Sequence, residues 1–275
     1  MGRNEALAKI DSYFHDGMFE AELARRVAYR TESVRPDSGP ALAAYLEEDL
    51  IPYLTGIGFA CETYPNPRAD AGPILVARRQ EGDNLPTVMT YGHGDVVPGF
   101  DDQWDNDVDP WVITKAGNRW YGRGTADNKG QHTINLAALK AVLETRGALN
   151  FNVILLIEMG EERGSPGLKE FCAANKQLFA ADVFIASDGP RLHPDKPTMF
   201  MGSRGVFNFT MRLDVHEGGH HSGNWGGLLA NPAIILSHAI ANIVSGKGQI
   251  LVKDLLPPPI PNSVRVALRD VAREG

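Results

Sequence analysis

One imidazole and several carboxylates carry the chemistry this sequence can do: His93, Asp95, Asp127, Glu161, Glu162 and Asp188. Most of them follow short apolar or β-rich runs. His93 and Asp95 come after the run 87–90, Glu161 and Glu162 after 151–157, and Asp188 after 181–186, while Asp127 lies in the loop ahead of a helical stretch. In an open parallel sheet, ligands bind beyond the carboxyl ends of the strands, so such runs deliver their acids and histidine to one rim. A histidine with several carboxylates is a donor set that zinc and similar cations take, and a carboxylate can bridge two ions. Taken singly, each residue has an ordinary explanation: a solvated loop histidine, surface glutamates, or an aspartate capping the helix behind it. Their conjunction at strand ends, among Gly-rich turns that bring backbone close to a ligand, favours a metal site.

The elements that must position these residues follow from hydrophobic spacing. Residues 4–30 are helix-compatible, and 41–54 repeat apolar positions at helical spacing before the Gly56-Ile57-Gly58 stop. Short β-rich runs at 74–77 and 87–90 precede a helix over 131–145, with Ile134, Ala138, Ala141 and Val142 on one stripe. The continuous apolar run 151–157 predicts a strand buried on both faces. Residues 165–174 predict a helix capped by Ser165 with Pro166 in its first turn, and 181–186 another buried strand. This β-α-β-α-β order predicts an α/β domain, a mostly parallel sheet sandwiched by helices.

The texture changes after about residue 200. Residues 206–215 alternate apolar and polar side chains, which predicts a strand of a half-exposed antiparallel sheet. A Gly-rich loop, a helix over 232–244 and a stiff Pro-rich connector at 256–261 follow. The expected division is a metal-binding catalytic domain over 1–203 and the start of a smaller α+β lid or dimerisation domain over 204–275.

Bulk properties narrow the partners. The 275 residues carry a formal charge of -7 with no basic cluster, which argues against nucleic acid. Two distant cysteines, Cys61 and Cys172, are expected to be reduced. The N-terminal stretch has charged residues where a signal peptide needs apolar ones. The longest strongly apolar run, 153–157, is far below the roughly 20 residues of a membrane span. A soluble, cytoplasmic protein without a membrane partner is expected.

Three segments make the reading specific: Tyr91-Gly92-His93-Gly94-Asp95-Val96-Val97-Pro98, Tyr121-Gly122-Arg123-Gly124-Thr125-Ala126-Asp127-Asn128-Lys129-Gly130, and Gly160-Glu161-Glu162-Arg163-Gly164-Ser165. Together with Trp104 and Asp109-Pro110-Trp111 between the first two, they resemble the aminoacylase/acetylornithine deacetylase/succinyl-diaminopimelate desuccinylase/carnosinase-type di-zinc metallopeptidase family in order and spacing. The resemblance runs from about residue 35 onward and implies a zinc-exopeptidase-like fold. It implies two Zn2+ per active site in the complete enzyme, with Co2+ or Mn2+ as substitutes. His93 and Asp188 would bind one ion, Glu162 the other, and Asp127 both. Asp95 would fix the tautomer of His93, and Glu161 would be the general base. A cis peptide after Asp127 is implied as well. Many family members carry a third acid where this chain has Arg163.

The implied reaction is hydrolysis of an amide bond in an N-acyl amino acid or dipeptide-like substrate, by a homodimer formed through the lid. The alternative is a catalytically inactive member that serves as a binding or dimerisation module. His221-Ser222-Gly223 resembles the lid turn whose histidine reaches the partner subunit's site and stabilises an oxyanion. Arg204, at the entry to the lid, is a candidate for holding a substrate carboxylate or for a hinge ion pair. His216-Glu217-Gly218-Gly219-His220 matches a zinc-protease string, but that motif needs a helix, and two glycines cost a helix about 2 kcal/mol. The resembled family takes its last metal ligand from a C-terminal histidine, and none occurs beyond His238. The expectation is therefore a fragment of a longer enzyme.

Overall fold

The computed structural model describes residues 2–105, 108–191, 193, 195–200, 202 and 205–274. The chain divides into two compact units, Met1–Phe200 and Met201–Gly275.

The first unit opens with α1 (Arg3–His15) and α2 (Met18–Val27), separated at Gly17, whose φ of 81° a side chain would resist. Next, α3 (Gly39–Ala44) continues through a π turn, Tyr45–Leu50, into α4 (Ile51–Gly56). The strands β1 (Ala60–Tyr64), β2 (Ile74–Arg79) and β3 (Thr87–His93) follow, then a small hairpin of β4 (Thr114–Ala116) and β5 (Arg119–Tyr121). The long helix α5 (Lys129–Arg146), β6 (Asn152–Glu158), α6 (Leu168–Ala174) and β7 (Val183–Ala186) complete the unit. Among the described residues, five strands form one sheet in the order β1-β2-β6-β3-β7.

The sheet is less parallel than the sequence predicts. β6–β3 and β3–β7 are parallel, whereas β1–β2 and β2–β6 are antiparallel. Connection length explains the difference. Only residues 80–86 join β2 to β3, and a parallel return needs about a dozen residues or more. The chain can return parallel only after β3 and β6, where α5 and α6 provide the crossovers.

Each face of the sheet has its own core. On one side Leu42, Leu46, Leu50 and Leu54 from the α3–α4 stretch and Leu136 from α5 meet Val153, Leu155 and Ile157. On the other, Phe171 of α6 meets Ile74, Val76, Ile154 and Leu156. β6 thus alternates between two cores and is buried along its whole length, as its unbroken apolar run predicts. Arg26 is fully buried and clamps the helical layer: Nε donates to Asp49 at 2.8 Å and Nη1 to Thr133 at 2.7 Å.

Three expectations fail here. Residues 183–186 are exposed, because β7 lies at the sheet edge and, among the described residues, pairs only with β3. The sixth helix begins at Leu168 behind Gly167, and Ser165 is not its cap. The Ser165 hydroxyl instead donates to the buried Glu158 carboxylate at 2.7 Å. In the second unit, residues 206–215 form no strand. Alternation supplies a face, but a strand also needs a neighbour for its backbone groups, and among the described residues this unit has only the bridge Val244↔Ile250. That unit consists of α7 (Ser222–Trp225), α8 (Pro232–Ile243), capped by the Asn231 side chain on Ala233 N at 2.9 Å, and α9 (Asn262–Glu274). Among the described residues no helix is long and apolar enough to cross a membrane.

Candidate metal centre

The parallel register of the sheet assembles the site. His93, the last residue of β3, pairs with Glu158, the last residue of β6, so the acidic turn after β6 starts beside it. Tyr91 pairs with Ala186 of β7, which brings Asp188, two residues on, to the same edge. Asp127 arrives from the loop in front of α5 across a cis Asp127–Asn128 peptide.

His93 is fully buried, and its Nε2 faces three acids: Asp127 Oδ1 at 2.9 Å, Asp188 Oδ1 at 3.7 Å and Glu161 Oε2 at 3.9 Å. Its Nδ1 lies 3.0 Å from the Asp95 carbonyl and 3.4 Å from the Asp95 carboxylate. The carboxylate contact expected from sequence is thus the longer of the two. The Asp95 oxygens accept instead from the backbone N–H groups of Glu161 and Glu162, each at 3.1 Å. Asp95 therefore ties the histidine strand to the acidic turn.

Ligand-type atoms gather in two groups, His93 with Asp127 and Asp188, and His93 with Glu161 and Glu162, all within 4.8 Å of one another in each group. The sequence places Asp127 as the shared residue; in the structure His93 is common to both groups. Burial works against a charged imidazole here. Hydrogen bonds to Asp127, Asp188 and Asp95 outweigh it and push His93 up to about 12. Asp188 is correspondingly held below the usual carboxylate range by His93. Burial, with the neighbouring acids, pushes Glu161 and Glu162 up. So much converging negative charge around one imidazole is the environment a divalent cation neutralises, and the donor set fits zinc.

Residues that the sequence reading did not single out complete the surroundings. Asn128 is fully buried; its Nδ2 donates to Ser187 O at 2.6 Å, Gln131 Oε1 at 2.6 Å and Asp188 Oδ1 at 3.2 Å. Its Oδ1 lies 3.2 Å from His132 Nδ1 and 3.4 Å from His93 N. One amide thus joins the ends of β3 and β7 to α5. Lys129 is also fully buried, donates to Tyr29 O at 2.6 Å, and is pushed down to about 7 by desolvation. Both sit inside the Asp127 motif, and their adjacency to it was the only available signal. His221 lies in the second unit, where its Nδ1 accepts from Gly223 N at 3.1 Å and caps α7. Arg204 lies outside the described residues.

The chain is 31% identical over 260 residues to the beta-Ala-His dipeptidase of Mus musculus, covering 90% of this chain and 52% of that one. It is 37% identical over 177 residues to the cysteinylglycine-S-conjugate dipeptidase of Corynebacterium striatum, covering 64% of this chain and 37% of that one. The chain spans about half the length or less of these relatives. Among solved structures, human carnosine dipeptidase 1 superposes with a TM-score of 0.70 at 26% identity, over 95% of this chain and 57% of that one. The di-peptidase Dug1p of Saccharomyces cerevisiae has a TM-score of 0.75 at 22% identity, over 97% of this chain and 58% of that one, which supports the fold. The model of Peptidase family M20/M25/M40 matches residues 89–273, a stretch that takes in His93, Asp95, Asp127, Glu161, Glu162 and Asp188. The chain belongs to this peptidase family.

Proposed function

We propose that this chain carries the catalytic metal centre of a zinc-dependent hydrolase that cleaves dipeptides or N-acyl amino acids. The observation that supports this most directly is the buried His93, with Asp127, Asp188 and Glu161 around its Nε2. His93, Asp127 and Asp188 would hold one ion; Glu162, with Asp127, would hold the second. Bound zinc supplies Lewis acidity toward the amide carbonyl and makes an attacking water more acidic.

The protein's own groups do the rest. Glu161 takes a proton from the attacking water and returns it to the departing amine; burial raises its pKa above the ordinary carboxylate value, the direction a proton-accepting base needs. Asp95 holds the Glu161 and Glu162 amides and keeps that base beside His93. Asn128 orients Asp188. We assign to His221 the stabilisation of an oxyanion in the site of a partner subunit, to Arg204 a substrate carboxylate, and to the second unit the homodimer contact. The names of the relatives, both dipeptidases, favour a dipeptide over a larger peptide.

Glu161→Ala tests the assignment. Dipeptide turnover should vanish while Zn2+ binding stays close to wild type. Turnover retained by Glu161→Ala would overturn Glu161 as the base, whereas a wild-type protein that binds zinc without hydrolysing any dipeptide or acyl-amino acid would favour an inactive binding module.

A further inference from the structure

Glu158 ends β6 and is only 2% exposed, and among the described residues no Lys or Arg pairs with it. Taking a carboxylate out of water costs several kcal/mol unless hydrogen bonds compensate. Here two hydroxyls converge on one oxygen: Tyr91 and Ser165 each donate to Oε1 at 2.7 Å. Tyr91 belongs to β3, two residues ahead of His93. Ser165 closes the acidic turn, and its N–H donates to Gly160 O at 3.0 Å. The Ser165 backbone has φ 52°, a left-handed conformation uncommon outside glycine. Its hydroxyl contact therefore holds the turn in a shape that Ser165 alone does not favour.

Between Gly160 and Ser165 lie Glu161 and Glu162. We propose that Glu158 is a positioning residue whose buried carboxylate locks Ser165 and so fixes Glu161 and Glu162 beside His93. The inference rests on the metal-site reading of those two glutamates. The turn is then held at both ends. Asp95 takes the backbone amides at its entry, and Glu158 takes the hydroxyl at its exit. Glu158 also reaches the histidine strand, through Tyr91 and through its own carbonyl, which accepts Gly94 N at 2.9 Å. One residue thus couples the position of the imidazole to that of both acids.

The experiment compares the wild-type chain with Glu158→Ala, Glu158→Gln and Ser165→Ala, by amide hydrogen exchange without metal and by calorimetric titration with Zn2+ alone. Losing a hydrogen bond to a charged group should speed exchange at the Glu161 and Glu162 amides about tenfold or more and weaken Zn2+ binding by about the same factor. Amides of β6 should keep wild-type rates. Glu158→Gln, which retains an acceptor oxygen for both hydroxyls, should fall between wild type and Glu158→Ala. If Glu158→Ala does not fold, Ser165→Ala decides, since it removes the same bond without touching the strand. Wild-type exchange across the turn in Ser165→Ala overturns the proposal, as does a rise in Glu158→Ala spread evenly over β6. A wild-type chain that takes up no Zn2+ overturns the metal reading instead, and the exchange rates alone then judge the anchor.

Discussion

Nε2 of His93 stands 2.9 Å from Oδ1 of Asp127, closer than to Asp188 at 3.7 Å or Glu161 at 3.9 Å. His93 is the imidazole proposed for the first ion and stands within 4.8 Å of the ligand-type atoms of both groups, so its removal should cost the first ion and loosen the acids that would hold the second. His93→Ala is expected to abolish Zn2+ binding altogether. Glu162→Ala, which leaves His93, Asp127 and Asp188 in place, should retain one ion. Calorimetric stoichiometry distinguishes the two variants, and an identical loss in both would show that His93 matters no more to metal binding than Glu162. Bound metal should also stabilise the fold, by about 2.7 kcal/mol at a hundredfold excess over Kd.

The Asn128 amide joins three elements, so truncating it should be costly. Asn128→Ala leaves the buried His132 Nδ1 and the half-buried Ser187 O without their partner. The expected loss is about 1–3 kcal/mol of unfolding free energy, read from urea denaturation of the metal-free chain. Zn2+ binding should weaken as well, because Asp188 loses a donor. A stability unchanged from wild type would mean that water or neighbouring groups replace the amide without cost.

Much of the first unit was legible because its helices and strands bury one face or two. The run 151–157 reads as a doubly buried strand, and it is one; the stripe on 131–145 reads as a helix, and it extends to Lys129–Arg146. What could not be read is set by non-local pairing. Strand direction on the β1–β2 side depends on which neighbour a short connection reaches, and β7 reads as buried although it pairs only on one side. Residues 206–215 have the period of a strand but no partner here. α9 follows a Pro-rich connector, and its apolar residues Val264, Val266, Leu268 and Val271 are exposed, so no core contact marked it. The metal-ligand candidates stood out because imidazole and carboxylates at strand ends are rare in combination. Glu158, just ahead of a motif, and Asn128, inside one, did not, because a polar residue reveals its partners only after the strands are aligned.

Arg163 occupies a position where a third acid would add to the negative field. It reaches away from the metal centre to Asp70, with Nη2 2.8 Å from Oδ2 and Nη1 donating to the carbonyl at 2.6 Å. The Asp70 side chain is 59% exposed, so the ion pair is screened by solvent. Arg163→Ala should therefore change stability by at most about 1 kcal/mol, an effect that shrinks further at high salt. A loss several times larger in thermal denaturation would show that the pair, and not Glu158 with Asp95, holds the turn.

His132 gives the fold a defined response to acid. It is buried within hydrogen-bond distance of Tyr45 Oη, 2.6 Å from Nε2, and of Asn128 Oδ1, 3.2 Å from Nδ1. Burial raises the pKa of Tyr45, so its phenol stays protonated and donates to Nε2, which leaves Nδ1 to carry the imidazole proton. Desolvation, reinforced by the positive charges of Arg26, His93 and Lys129, pushes the His132 pKa well below its ordinary value. The folded protein therefore refuses a proton that the unfolded chain accepts below about pH 6.5. Stability from this residue is complete above that pH and is lost as the pH falls from there toward the depressed folded value, by at most about 1.4 kcal/mol per pH unit. Urea denaturation of the metal-free chain at about pH 7.5 and about pH 5 should show this loss in wild type and a smaller one in His132→Gln, whose side chain does not titrate. Equal pH dependence in the two proteins would place the acid sensitivity elsewhere, in the carboxylates around His93.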